Sequence, residues 1–276
     1  MAREHRTISQ LREHYEIEKA LASQLRNASR QDRRYLYTSL YNELYRRVPH
    51  HPLLTRKASQ EETAVNAFQQ MRFLRRFLDE EDAFLEVGPG DCALSLEAAK
   101  CVKQVYAVDV SDELAKKLTF PQNFQLLLSD GCSIPVPQGS IRVAYSNQLM
   151  EHLHPDDACE QLRNIYKALM PGGVYVCITP NRISGPHDVS RHFETVAAGF
   201  HLKEYSVSEL SDLFKKVGFS KTKVYAGGKG IYVGVPVFVP RVVEALLDSL
   251  PARLRVAIAR SLPFGSLLGI RLVGTK

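Results

Sequence analysis

At 276 residues with 45% apolar side chains, the chain is long enough to bury a large core and is ordinary in composition for a globular protein. No apolar stretch reaches membrane-spanning length, the first residues (Met-Ala-Arg-Glu-His-Arg) lack the apolar core of a signal peptide, and the five cysteines show no Cys-x-x-Cys spacing; an integral helical membrane protein and a disulfide scaffold are excluded, and a cytoplasmic protein with reduced thiols is expected. Residues 1–80 concentrate the basic charge, fifteen Lys and Arg against ten Asp and Glu, but these alternate, as in Arg12-Glu13 and Glu16-x-Glu18-Lys19, which is the pattern of solvated helix faces and argues against a nucleic-acid partner.

Residues 1–80 read as a helical cap, with one helix to about Asn27, a second from Arg30 to Arg47 and a third from Gln60 to Leu78. Val48-Pro49-His50-His51-Pro52 ends the second, because proline donates no backbone hydrogen bond. Tyr37, Tyr41 and Tyr45 recur every four residues and share one face of it. Packing onto the core is expected for them, with one of the three reaching a site. Residues 81–226 alternate strand and helix, which implies an α/β, doubly wound, mainly parallel sheet. Ligands of such sheets bind beyond the carboxyl ends of the strands.

Phe84 to Val87 is an apolar strand entering the turn Gly88-Pro89-Gly90-Asp91-Cys92. With Ala93 and Asp109, that turn fits a dinucleotide fingerprint. Val105 to Val110 is a second strand, containing Asp109, and Leu127-Leu128 a third, followed by Asp130-Gly131. Asp109 or Ser111 could alternatively cap the next helix, and Asp130-Gly131 could be turn chemistry alone. Ile141 to Ser146 is a fourth strand, leading to Asn147-Gln148-Leu149-Met150-Glu151-His152. Leu169 to Gly173 closes a helix before the strand Val174 to Thr179. The loop after it carries Arg182, His187, Asp188, Arg191 and His192. His187 and His192 are of the type that deprotonates an alcohol, and the arginines of the type that holds an anion. In the alternative, Asp188 and Ser190 cap turns while the histidines shape the loop.

Residues 227–276 are read as a helical insertion and a closing strand. Val235 to Pro240 leads into a helix from Arg241 to Leu250; a second spans Pro251 to Leu262, and Ile270 to Thr275 is the strand. Val242, Val243, Leu246, Leu247 and Leu250 form one apolar face, beside Arg241, Arg253, Arg255 and Arg260. Peripheral membrane contact through 240–262 is one use of it; packing on the parent domain or a second subunit is the other.

The ordered set of motifs over about residues 68 to 226 resembles the class I S-adenosylmethionine-dependent methyltransferases. Glu86, Gly88 and Gly90 match their first motif, while Cys92 stands where a third glycine is usual. The resemblance implies a seven-stranded Rossmann-like sheet whose last strand is antiparallel. It also implies S-adenosylmethionine as methyl donor and S-adenosylhomocysteine as product. Contacts to that cofactor would come from Glu86, Gly88, Gly90, Asp109, Val110, Asp130, Gly131 and Asn147, with Asp109 on the ribose hydroxyls and Asp130 on the adenine amino group. His187 and His192 would be the catalytic candidates, and Glu151, His152, Arg182 and Arg191 would bind the substrate. Gln148-x-x-Glu151-His152 is similar to a Glu-x-x-Glu-His metal segment of ubiquinone-pathway O-methyltransferases. The missing first acid lowers its charge, and no metal is expected. The fourth strand ends in Ser-Asn-Gln-Leu, without the Asn/Asp-Pro-Pro-aromatic signature of adenine- and amide-methylating enzymes. A small-molecule acceptor methylated on oxygen (a saccharide, quinone or lipid-like metabolite) is therefore expected. An RNA- or protein-modifying enzyme and a non-catalytic cofactor-binding protein are the alternatives.

Overall fold

The computed structural model describes residues 5–55, 60–112, 114–116, 118–228 and 230–276. The N-terminal helices are α1 (Ile8–Asn27), α2 (Arg30–Arg47), the short α3 (Pro52–Thr55) and α4 (Gln60–Leu74); α1 and α2 cover one face of the sheet and α4 packs on the other. Thr7 starts α1 with a capping box: its hydroxyl accepts from Gln10 N, and the Gln10 side chain accepts from Thr7 N. The third helix thus ends four residues short of the expected Leu78.

The sheet is built from β1 (Ala83–Val87), β2 (Gln104–Asp109), β3 (Phe124–Leu128), β4 (Ile141–Asn147), β5 (Leu169–Thr179), β6 (Lys221–Gly228), β7 (Ile231–Pro236) and β8 (Ile270–Thr275). Between these strands lie α5 (Ala93–Ala98), α6 (Pro155–Ala168), α7 (Val207–Val217), α8 (Phe238–Asp248), α9 (Ala252–Arg260) and α10 (Phe264–Leu268). The strand order is β3-β2-β1-β4-β5-β8-β6-β7. Strands β1 to β5 pair in parallel; β8 runs antiparallel to β5 and β6. Eight strands replace the expected seven. The addition is β7, which pairs antiparallel with β6, Gly228 opposite Ile231. On this edge strand Ile231 and Val233 face solvent.

Side chains of β1 alternate between two cores. Leu85 and Val87 join Leu21, Leu25, Leu40, Leu162, Ile165 and Phe214 on the face covered by α1, α2, α6 and α7. Phe84 joins Met71, Phe73, Leu74, Leu94 and Val105 on the other. The strand order reverses between β1 and β4, so the crevice at their carboxyl ends is the switch point. The buried Arg33–Asp157 pair, bidentate at 2.6 and 2.8 Å, fastens α2 to α6 beside it.

The insertion packs on the loop after β5 through Ile183, Leu247, Ala259 and Leu268. The apolar face expected on its first helix is split. Leu247 is buried and Val243 and Leu250 partly so, while Val242 and Leu246 point outward. Glu244 sets that rotation: its carboxylate is buried and accepts from Asn181 Nδ2, Val207 N, Ser208 N and Ser208 Oγ at 2.6 to 3.1 Å. It thereby satisfies free N–H groups at the start of α7.

Candidate functional site

The glycine turn joins β1 to α5 with left-handed residues at alternate positions, Gly88 (φ 73°), Gly90 (φ 55°) and Cys92 (φ 57°). Cys92 adopts the conformation a third glycine would take, so the turn survives the substitution. A Cβ at Gly90 would meet nothing within 4 Å, whereas one at Gly88 would press on Leu149 at 3.3 Å. The turn therefore leaves open space on its outer side.

Behind it, Glu86 is fully buried and accepts from Ser95 Oγ at 2.5 Å. Burial, aided by the charges of Asp91 and Asp109, pushes its carboxyl up to about 8. Burial also raises Asp109, although the N–H groups of Ser111, Val110 and Gly90 oppose it. Asp109 Oδ1 accepts from Val110 N at 2.7 Å and Ser111 N at 3.2 Å. The acidic side chains of Asp91 and Asp109 beside this protonated carboxyl suit a positively charged ligand, and the residues present fit S-adenosylmethionine, whose sulfonium and ammonium are cationic.

Asp130 Oδ1 accepts from Cys132 N and Ser133 N, and Oδ2 pairs with Arg34 of α2 at 3.1 Å. Burial opposes its charged form, but those N–H groups and Arg34 hold its carboxyl below the usual range. Tyr37 lies against Gly131, 3.1 Å from where a Cβ would stand, and Thr38 Oγ1 donates to Val110 O at 3.0 Å. Helix α2 thus covers the ends of β2 and β3. Asn147 closes β4 beside Gln148, itself left-handed at φ 55°.

A second polar cluster lies beneath the cap at the ends of β4 and β5. Glu151, His152 and His201 each bring one ligand-capable atom within 4.8 Å of the others, a spacing that could also hold a divalent cation. Thr179 Oγ1 donates to Glu151 Oε2 at 2.8 Å, but Glu151 Oε1 is buried without a hydrogen-bond partner. Burial lifts this carboxyl to about 7 against the pull of His201. His152 is pushed down to about 3 by burial and by His201, so it is neutral at physiological pH; its Nδ1 lies 3.1 Å from Phe200 O. His201 Nδ1 is 2.7 Å from Glu204 Oε1. Burial opposes charging of His201, yet the Glu204 bond and the charges of Glu151 and Asp188 outweigh it and raise its value.

Tyr41 roofs the cluster. Its ring stacks on Phe200 at 4.5 Å and its hydroxyl is buried without a partner. Of the three tyrosines it is the one that reaches this cluster; Tyr37 donates to Asp157 Oδ2 at 2.7 Å, and Tyr45 packs on His51. Glu18 of α1 fastens the roof by accepting from Phe200 N at 2.8 Å.

The loop after β5 divides. His187 is directed inward, its Nε2 3.1 Å from both Asn181 O and Ser184 Oγ, and burial lowers its basicity. His192 is exposed, with Arg191 Nε donating to its Nε2 at 3.1 Å. Arg182 pairs with Asp248 at 2.9 Å and Glu209 at 3.2 Å, tying the insertion to α7. Asp188 and Ser190 serve the turn, Asp188 Oδ1 accepting from Ser190 N and Oδ2 from Gly199 N. Glu151 and His152 are therefore brought together and His187 adjoins them, its backbone N–H donating to the Glu204 Oε1 that also holds His201 at 2.7 Å, whereas His192, Arg182 and Arg191 lie in other settings. Sequence reading missed His201 and Glu204; their His-x-x-Glu spacing in an irregular stretch was the available signal.

A methyltransferase-domain family model matches residues 60–224, more than half of the chain and all of the glycine-turn geometry above. The chain belongs to the class I S-adenosylmethionine-dependent methyltransferases. This methyltransferase is 34% identical over 86 residues to a probable S-adenosylmethionine-dependent methyltransferase of Mycolicibacterium smegmatis, and the match spans 31% of each protein. Among solved structures it resembles an S-adenosylmethionine-dependent methyltransferase of Thermotoga maritima, with a TM-score of 0.50 and 17% identity over 77% of this chain and 91% of that one. A Mesorhizobium loti methyltransferase gives 0.50 at 15% identity, covering 77% and 100%. At such identities the structural likeness speaks for the fold alone.

Proposed function

We propose that this methyltransferase transfers a methyl group to an oxygen of a small molecule, with His201 as general base in place of His187 and His192. The observation that carries the reading is the pair of unpartnered buried groups, Glu151 Oε1 and the Tyr41 hydroxyl. Buried polar atoms are rarely left unpaired, so a polar ligand is the natural partner of both. Helices α1 and α2 enclose them, which suits a compact acceptor better than a polymer and keeps water from the reaction.

When bound, S-adenosylmethionine supplies an electrophilic sulfonium methyl. The chain's own task is to position the acceptor and take its proton. Glu151 Oε1 and Tyr41 orient the acceptor hydroxyl. His201, with Nδ1–H donating to Glu204, presents Nε2 as the proton acceptor. The resulting imidazolium is stabilised by Glu204 and Glu151. Asp109 is read as the acceptor for the ribose hydroxyls, and the Gly88–Gly90 turn as the seat of the methionine portion.

The test is turnover of S-adenosylmethionine against a panel of phenolic, saccharide and lipid-like alcohols, with wild type and His201→Gln. Product formation that falls about a hundredfold or more in the variant, with unchanged S-adenosylhomocysteine binding, supports the base role. Equal turnover by the two proteins removes it.

A further inference from the structure

Helix α8 keeps part of its apolar surface outside. Its buried positions include Glu244, whereas Phe238, Val242 and Leu246 are 66%, 56% and 67% exposed. These three recur every four residues and line one outward stripe over two turns. Leu254 on α9, which packs beside α8, adds a further exposed apolar side chain. The inward carboxylate is held by four donors from Asn181, Val207 and Ser208, so the helix cannot roll its apolar side into the core without stranding them.

The charge around the stripe is basic in excess. Arg241, Arg253, Arg255 and Arg260 come from the same two helices, and Glu244 is buried. Asp212 of α7 pairs with Arg241 and Asp248 is shared by Arg182 and Arg255, so the excess is that of the exposed Arg253 and Arg260. A second copy meeting this face through a two-fold axis would bring arginines against arginines. Anionic headgroups complement it instead.

We propose that α8 and α9 dock this methyltransferase onto an anionic lipid surface, with Phe238, Val242 and Leu246 entering the headgroup–acyl boundary and the exposed Arg253 and Arg260 supplying the excess charge toward lipid phosphates. Among the described residues no helix is long and apolar enough to cross a membrane, so the attachment is peripheral. Because α9 packs on Arg182–Ser184 and Arg260 Nε donates to Ser184 O at 2.8 Å, the docked face adjoins the loop leaving β5. The proposal stands on the helix geometry and does not require the acceptor to be a lipid.

The test is co-sedimentation of the full chain with phosphatidylcholine vesicles and with vesicles containing about a third phosphatidylglycerol, beside a Val242→Glu/Leu246→Glu variant. Both substituted side chains are exposed, so the fold is retained, and unchanged S-adenosylhomocysteine binding by the variant verifies this. The expected result is retention on anionic vesicles, at least about tenfold weaker in the variant and weakened by high salt. No retention of wild type on anionic vesicles overturns the proposal. So does retention unaffected by the substitutions, or a dimer in light scattering that the same substitutions dissolve.

Discussion

Glu86→Gln should stabilise the folded protein above pH 7 while weakening its hold on S-adenosylmethionine. In an unfolded chain this carboxyl loses its proton near 4.5, but burial beside Asp91 and Asp109 keeps it protonated up to about 8 in the folded protein. An acid raised on folding favours the native state least at high pH. Its contribution is complete below 4.5, is lost at roughly 1.4 kcal/mol per pH unit as pH rises, and is gone above 8. The loss amounts to about 2.5 kcal/mol between pH 5 and 7, and approaches ~5 kcal/mol by pH 9. Against a total stability of roughly 5–15 kcal/mol, that is a large share. Glutamine keeps an acceptor for Ser95 Oγ, but its amide N–H groups are left without a partner, a cost of about 1–3 kcal/mol that does not vary with pH. Urea unfolding of both proteins at pH 5, 6, 7 and 8 isolates the effect. The difference in unfolding free energy should drift in the variant's favour as pH rises. Parallel curves, with a constant offset, would refute the burial argument for this group.

The remaining predictions concern the site and the cap. Asp109→Ala should reduce S-adenosylhomocysteine affinity by about tenfold or more in calorimetry, one charged hydrogen bond being worth roughly 1.5–3 kcal/mol; unchanged affinity would return Asp109 to a capping role. Arg33→Met should cost about 3–5 kcal/mol in denaturant unfolding by leaving Asp157 buried without its ion partner, and a change within 1 kcal/mol would mean the pair is not buried in solution. Turnover should rise with pH as His201 loses its proton, with a midpoint above the ordinary histidine value, and Glu204→Gln should move that midpoint down. Dialysis against a chelator should leave turnover unchanged; a loss restored by magnesium or zinc would make Glu151, His152 and His201 a cation site.

The parts of this molecule legible in sequence are those with a local pattern. The strand–turn–helix around Gly88 and the acids at Asp109 and Asp130 repeat the order of the family and fall where the chain turns at the sheet's rim. Tyr41 was visible as one of three tyrosines, but not as the one over the cluster, because its partner Phe200 lies far away in a stretch without periodicity. His201 and Glu204 were hidden for the same reason: their meaning comes from Glu151 and His152, fifty residues earlier. β7 escaped because an edge strand need not bury its apolar residues, so Ile231 and Val233 carry no core signal. The orientation of α8 was concealed too, since hydrophobic spacing alone predicts an inward apolar face. The fold instead spends that face on a buried glutamate that caps α7.

The most direct test of the small-molecule assignment is to incubate the protein with methyl-labelled S-adenosylmethionine and an extract of its own cells, then follow where the label goes. The account predicts label in the low-mass fraction with wild type and little with His201→Gln. Label confined to RNA or protein would contradict it and make the polar cluster at Glu151 a site for a residue or base inserted from a polymer.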